Sequence, residues 1–548
     1  MISIIKRFEK AIKENWNQLA LTDFEGVSFR YGDIARKVEK LHIMFEYAGI
    51  KSGDKIAVCG KNSAQWSVAF LASMTYGAVA VPLLQDFKAE NLQQLVNHSD
   101  AKLLFVDESV WENLDAAVMD KLMGAVNING FSLFLCRDKK LDYARAHLNE
   151  LFGKKYPERF SENDVKYEDR DPESLAAINY TSGSTGFSKG VMIPLRAFSS
   201  NVQYCIDHLE CLHAGDSVVA MLPLAHMYGL TIDLLHAFSR GCHLYFLTRM
   251  PSPRVIINAF ANAHPPMIVT VPLIIEKIIK KNVFPLLDKP VMKLLLKVPY
   301  VDQKLLARIK NKLTETFGGR LQELIVGGAA INGDVERFLS KIEFPLTNGY
   351  GMTECAPLIS YAPPAVNKVG SCGRIVDRME GRIDSPDPEN MPGELWVRGT
   401  NLMLGYYKNE AATQAVMKDG WMNTGDLATM DSEGFLFLRG RSKNMILGSN
   451  GQNIYPEEIE QQVNNLPFVN ESLVIEESGK LKALIYPDFE SAEQENLSHD
   501  ELQHTLEESI KQLNTSLPSY SQIAGIQMYN EEFEKTPKRS IKRYLYQH

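Results

Sequence analysis

Apolar and polar positions over the first ~170 residues sort into short buried runs separated by longer helical stretches. Lys55 to Cys59 and Lys102 to Val106 are apolar runs of strand length, and their alternation with helical segments predicts an α/β layer architecture. Trp66 to Leu84 carries no charge over 19 residues, long enough to raise the question of a membrane helix. Gly77 divides that segment, and Ala78 to Leu83 reads as a buried strand following a helix, so it is expected in the core. Leu175 to Asn179 and Val191 to Pro194 read as two further strands, and Leu324 to Val326 as a strand ending in the glycine turn Gly327-Gly328-Ala329. Beyond Lys443 the pattern changes to a small α/β unit. There Ser498 and Glu501 form a capping box, and Leu502, Leu506, Ile510 and Leu513 mark one face of a helix that stops before Pro518. The expected division is a large domain over 1–440 and a small one over 441–548.

Composition narrows the class. A chain of 548 residues exceeds what a single hydrophobic core organises, so two or more domains are expected. A net charge of −8 gives no support to nucleic-acid binding, which needs a basic face. Seven cysteines without a Cys-x-x-Cys pair point to a reducing compartment and no structural metal. The amino terminus carries charges where a signal peptide needs an apolar core, so a cytoplasmic location is expected. The charged stretch from Ser161 to Glu173 reads as surface.

Between the strands at 175–179 and 191–194 lies the densest chemistry in the chain, Tyr180 to Gly190. Gly183, Gly186 and Gly190 allow backbone N–H groups to converge on an anion. Thr181, Ser182, Ser184 and Thr185 add hydroxyl donors, and Lys189 adds a compact charge. In the usual nucleotide P-loop, Ser or Thr follows the lysine and a helix begins; here Gly190 and a strand follow Lys189, so the loop is expected to join two strands. This stretch resembles the phosphate loop of the adenylate-forming superfamily: acyl-CoA synthetases, peptide-synthetase adenylation domains and luciferases.

The resemblance extends from about residue 20 to the end through an ordered series of motifs. It implies that His226, in Leu222-Pro223-Leu224-Ala225-His226-Met227-Tyr228, lies near the acyl carboxylate. Amino-acid-activating relatives place an aspartate close by; here the nearest acid is Asp233, so an amino-acid substrate is disfavoured. Gly327, Gly328 and Ala329 would flank adenine. In Asn348-Gly349-Tyr350-Gly351-Met352-Thr353-Glu354, Tyr350 can stack on a purine, Thr353 can donate to the α-phosphate, and Glu354 is a hard oxygen ligand for Mg²⁺. Asp426 matches the ribose aspartate, Arg441 the ribose-contacting arginine and Lys443 the hinge. Gly448 and Gly451 fall in a segment similar to the one that lines a pantetheine channel.

The implied fold is a large, multi-subdomain amino-terminal domain with a small, mobile carboxy-terminal α+β lid. The implied activity is ATP- and Mg²⁺-dependent activation of a fatty acid to acyl-AMP, then transfer to CoA, most like a long-chain fatty-acid CoA ligase. Three alternatives stay open: a ligase loading a carrier protein, an aryl-CoA ligase, and an impaired acyl-nucleotide-binding protein. Peripheral membrane contact and a homodimer are also left open. One departure stands out, because Ser540 occupies the position of the superfamily's catalytic lysine. Lys538, on the same side of an extended strand as Ser540, is expected to act in its place, with Lys542 the second candidate. Arg539 and Arg543 are expected at a solvated strand end.

Overall fold

The computed structural model describes residues 1–181, 188–247, 253–298, 300–447, 452–536 and 541–547. Its centre is a mixed sheet in which Lys55–Cys59, Val79–Leu83 and Ala101–Val106 run parallel. Leu175–Thr181 continues that sheet beside Val79–Leu83, followed by Lys189–Pro194 and the edge strand Gly405–Tyr406. The uncharged segment resolves as expected into the helix Ala64–Tyr76, Gly77 and the strand Val79–Leu83. Ser63 caps that helix by accepting from the Trp66 N–H at 3.1 Å. Apolar on all sides, the helix is buried on all sides: Trp66 and Phe70 stack at 5.5 Å inside the main core.

Further layers complete the large domain. Leu19–Asp23 and Ser217–Ala220 both pair in parallel with His243–Phe246. Met267–Thr270, Glu323–Val326 and Leu346–Asn348 form a parallel trio that ends at the glycine turn. An antiparallel sheet carries Trp421–Met430 against Leu436–Arg441. Parallel strands need crossover helices, so both faces are covered and the strands read as near-continuous apolar runs. The charged stretch at 161–173 is less superficial than its composition implies, since Phe160, Val165 and Tyr167 anchor it in the core.

The small domain has its own core. Val469–Glu477 and Lys480–Pro487 pair antiparallel, with Ile523–Met528 parallel to the second. The helix His499–Asn514 starts at the expected Ser498/Glu501 capping box and buries Leu502, Leu506 and Ile510. Gln461 Nε2 to the Ile331 carbonyl (2.8 Å) and Lys280 Nζ to the Asn464 carbonyl (3.3 Å) seat this domain on the large one. Arg543 overturns one expectation. It is not solvated: its guanidinium pairs with Glu460, each side chain only 11% exposed, and also donates to the Val474 carbonyl at 2.9 Å. A guanidinium that finds both a buried carboxylate and a free carbonyl is held inside rather than left in water.

Candidate active site

Thr181 and Lys189 sit opposite one another in the antiparallel pair, so the glycine-rich stretch joins two strands, as its sequence predicts. Ser182, Gly183, Ser184, Thr185 and Gly186 themselves lie outside the described residues. The strand before them also fixes the His226 turn. Buried Asn179 donates to the Ala225 carbonyl at 2.8 Å, and Asn62 brackets the same turn by accepting from the Leu224 N–H and donating to the Leu222 carbonyl.

Thr353 and Glu354 are held by a tight, cross-braced turn. Gly351 is required there, because a Cβ would lie 2.1 Å from the Pro357 carbonyl oxygen. Buried Asn201 donates to the Cys355 carbonyl (3.1 Å) and accepts from the Leu358 N–H (3.0 Å), and Thr231 Oγ1 donates to the Ala356 carbonyl (3.1 Å). Glu354 is 8% exposed, and its Oε1 accepts from the Tyr406 hydroxyl at 2.9 Å. The Lys189 ammonium lies 4.7 Å from the centre of the same Tyr406 ring. Burial and the nearby Glu354 carboxylate push the Tyr406 phenol well above its ordinary pKa, so it remains a donor. Tyr406 is a residue that sequence reasoning left without a role; only the Gly-Tyr-Tyr run around it was a signal.

One buried carboxylate beside a threonine suits Mg²⁺ arriving on phosphates, since that ion takes one or two carboxylates and keeps its other ligands as phosphate and water. Among the described residues no group of three or more acidic, His or Cys side chains forms a metal cage. The residues therefore fit a metal brought in by the nucleotide.

Across the site, Asp426 is 6% exposed on its strand, directly opposite Arg441. Its Oδ1 pairs with Arg441 Nε at 2.8 Å, and its Oδ2 accepts from the Tyr350 hydroxyl at 2.5 Å. Lys443 follows in the turn Ser442–Asn444, where burial and the like charges of Arg441 and Lys189 lower its pKa. Asn348 donates to Glu336 Oε1 at 2.6 Å, and the Gly370 N–H to Oε2 at 3.0 Å. Despite those donors, burial pushes the Glu336 carboxyl up to about 7. Sequence offered no sign of Glu336, a single acid on the helix Gly333–Lys341.

Beside Tyr350 and Gly351 lies a cavity of about 80 Å³. Tyr204, Cys205, Ile232, Gly327, Gly328, Tyr350, Gly351 and Tyr361 are among the residues that line it. Gly328 takes φ +84°, which an L side chain rarely adopts, and so lets the strand end turn beside the cavity. Tyr204 and Tyr361 meet edge to face at 6.3 Å within this lining. The Tyr361 hydroxyl donates to buried Glu323. Asp233 is fully buried in the wide helical turn Gly229–His236, and neither carboxyl oxygen has a partner among the described residues. Burial raises its pKa above the usual carboxylate range, which disfavours the charged form that an ammonium group would need as a partner.

The structure thus brings together Thr181, Lys189, Gly327, Gly328, Asn348, Tyr350, Thr353, Glu354, Asp426, Arg441 and Lys443 around one cleft, with the His226 turn braced against the strand that leads into it. Gly448, Gly451, Lys538 and Ser540 lie outside the described residues. Lys542 is drawn elsewhere: its ammonium pairs with Glu534 and its N–H with the Glu534 carbonyl.

Comparison with known proteins identifies the family. The model of the AMP-binding enzyme family matches residues 8–407, and that of the AMP-binding enzyme C-terminal domain matches 443–547. A long-chain-fatty-acid–CoA ligase of Escherichia coli is 28% identical over 491 residues, covering 86% of this chain and 82% of that protein. Among solved structures, an anthranilate CoA ligase in complex with anthranoyl-AMP superposes with a TM-score of 0.78 at 17% identity, over 100% of this chain and 96% of that one. ATP-bound MatB from Rhodopseudomonas palustris gives 0.77 at 22% identity, over 100% and 98%. At such identities these two matches show likeness of fold.

Proposed function

The chain belongs to the AMP-binding enzyme family and is an adenylate-forming CoA ligase, and on that premise we propose that the acid it activates is a long-chain fatty acid. The observation that carries this reading is the cavity. It is lined by apolar and aromatic side chains together with Tyr350 and Gly351 of the Thr353–Glu354 motif, and the nearest acid past His226 is buried with its pKa raised. The similarity to a long-chain-fatty-acid–CoA ligase over most of both chains supports it.

A carboxylate is a poor electrophile, so the acid first attacks the α-phosphorus of ATP. The bond to pyrophosphate breaks, and an acyl-AMP anhydride forms. CoA thiolate then attacks the acyl carbon, and AMP leaves with the oxygen it received from the acid. In our reading Thr353 and Lys189 meet the phosphates, and Asp426 with Arg441 holds the ribose. Glu354 would hold Mg²⁺, which neutralises phosphate charge when bound. Tyr406 orients Glu354 and keeps Lys189 against its ring. Lys538 carries charge to the α-phosphate in place of the missing lysine. The small domain turns about Lys443 between the two half-reactions, with the division near residue 440.

A second reading has its own support. The cavity of about 80 Å³ is roughly half the size of one that accepts benzene, so a long chain must part Tyr204 from Tyr361. A short acid would need the least displacement, and an aromatic one less than a long chain. AMP release with CoA present, measured across a series of saturated acids and benzoate, separates the two. Rates that rise with chain length support the fatty-acid reading; a preference for benzoate or butyrate overturns it.

A further inference from the structure

Large apolar side chains are normally buried or scattered singly over a surface. Here they gather on one segment. Between residues 286 and 300, Leu286 is 50% exposed, Val291 67%, Leu294 66%, Val298 43% and Tyr300 78%. Val291 and Leu294 share one face of the helix Pro290–Leu295, and exposed Val298 follows in the turn after it. Packing does not account for them, because the same segment faces the core with other residues: Phe284 meets Phe338 at 5.6 Å, and Leu287 and Leu306 lie against the buried cluster.

The charge of this segment is as unusual as its apolarity. Residues 277–312 hold ten Lys or Arg against two Asp, in a chain whose net charge is −8. Lys289, Lys293 and Lys297, all exposed, lie among these apolar side chains at the start of, within and just past the helix. Lys293 pairs with Asp288 at 3.1 Å with both side chains largely exposed, while Lys289 and Lys297 have no ion pair among the described residues. Tyr300 takes φ +70° just before the helix Val301–Thr316 and is the most exposed of these side chains.

We propose that the described residues of this segment, 284–298 with Tyr300, are a docking surface for a bilayer containing anionic phospholipid. An amphipathic helical segment with exposed apolar side chains beside lysines lies in the interface, its apolar side chains among the acyl chains and its ammonium groups at the phosphates. Exposed tyrosine belongs at the same depth. Charge selects this occupant over a second copy of the chain, because a two-fold contact through the same segment would set lysine against lysine. The surface is joined to the edge of the cleft by one helix. It continues from the helix Pro272–Asn282, which starts at Val271 beside the Gly328 turn. The proposal does not depend on which acid is activated. Among the described residues no helix is long and apolar enough to cross a membrane, so contact here is with the surface.

The full chain is sedimented with vesicles of phosphatidylcholine alone and of phosphatidylcholine mixed with phosphatidylglycerol. The expected result is binding to the mixed vesicles only, lost at high salt and weakened at least ~10-fold by Lys289→Glu with Lys297→Glu and by Val291→Ser with Leu294→Ser. Because a combined variant can misfold, a second measurement places a reporter on each side. Leu294→Trp should shift its emission to the blue on mixed vesicles, and Val118→Trp, at a residue 47% exposed elsewhere on the surface, should not. No binding to mixed vesicles, binding unaffected by either pair of substitutions, or equal shifts at both tryptophans would overturn the proposal. Capture of an acidic carrier protein by this segment with no lipid binding would overturn it too.

Discussion

Asp426 presents its two oxygens to two different donors, the Arg441 guanidinium and the Tyr350 hydroxyl, and is fixed before any ribose arrives. Ribose hydroxyls gain no charge in the transition state, so Asp426→Ala should weaken ATP binding more than it slows chemistry, by about 2–5 kcal/mol in calorimetry. Unchanged affinity would remove Asp426 from the site. Glu354→Gln keeps an acceptor for Tyr406 but replaces a hard anionic ligand with a weak one. It should stop pyrophosphate release at ordinary Mg²⁺ and recover in part as Mg²⁺ is raised. The lysines separate in the same assay: Lys538→Ala should slow release at least ~100-fold, and Lys542→Ala, whose ammonium is spent on Glu534, should not slow it. Such residues were legible when they stood in an ordered motif, as Glu354 and Asp426 do. Tyr406 and Glu336 were not, because their roles arise from pairing across distant strands, and a single tyrosine or acid carries no pattern of its own.

The turn Ser442–Asn444 joins the strand Leu436–Arg441 to the small domain, and proline at Lys443 would fix φ there. Lys443→Pro is expected to spare acyl-AMP formation and stop thioester formation in single-turnover assays; equal loss of both steps would exclude a pivot at this turn. The helix Gly333–Lys341 carries a pH dependence. Glu336 rises from 4.5 to about 7 on folding, so its contribution to stability is fully present below its unfolded pKa and is lost as pH rises through about 7. Between pH ~5 and ~8 the wild type should lose up to about 3 kcal/mol that Glu336→Gln does not lose, read from urea unfolding at the two pH values. In the small domain, Arg543→Ala would leave Glu460 buried without its cation and should cost about 3–5 kcal/mol. The elements themselves were readable, from the split of the uncharged segment at Gly77 to the Ser498 capping box. The burial of Arg543 was not, because the acid that receives it lies on the helix Pro456–Val463, more than eighty residues away in sequence.

For the molecule as a whole, the proposed mechanism divides two half-reactions between two bodies: a large domain carrying Glu354, Lys189 and Asp426, and a small one joined just after Arg441. Phosphate chemistry sets the order of the motifs, and that order made the family readable where no single motif was specific. The acyl cavity was out of reach of the sequence, because Tyr204, Ile232 and Tyr361 come from three separate elements and their packing sets its depth. The account rests on a carboxylate oxygen passing to AMP. The most direct test supplies a fatty acid labelled with heavy oxygen in its carboxylate, together with ATP, Mg²⁺ and CoA, and reads the products by mass spectrometry. Pyrophosphate, acyl-CoA and AMP carrying one labelled oxygen are the predicted result; unlabelled AMP, or ADP with phosphate, would contradict it.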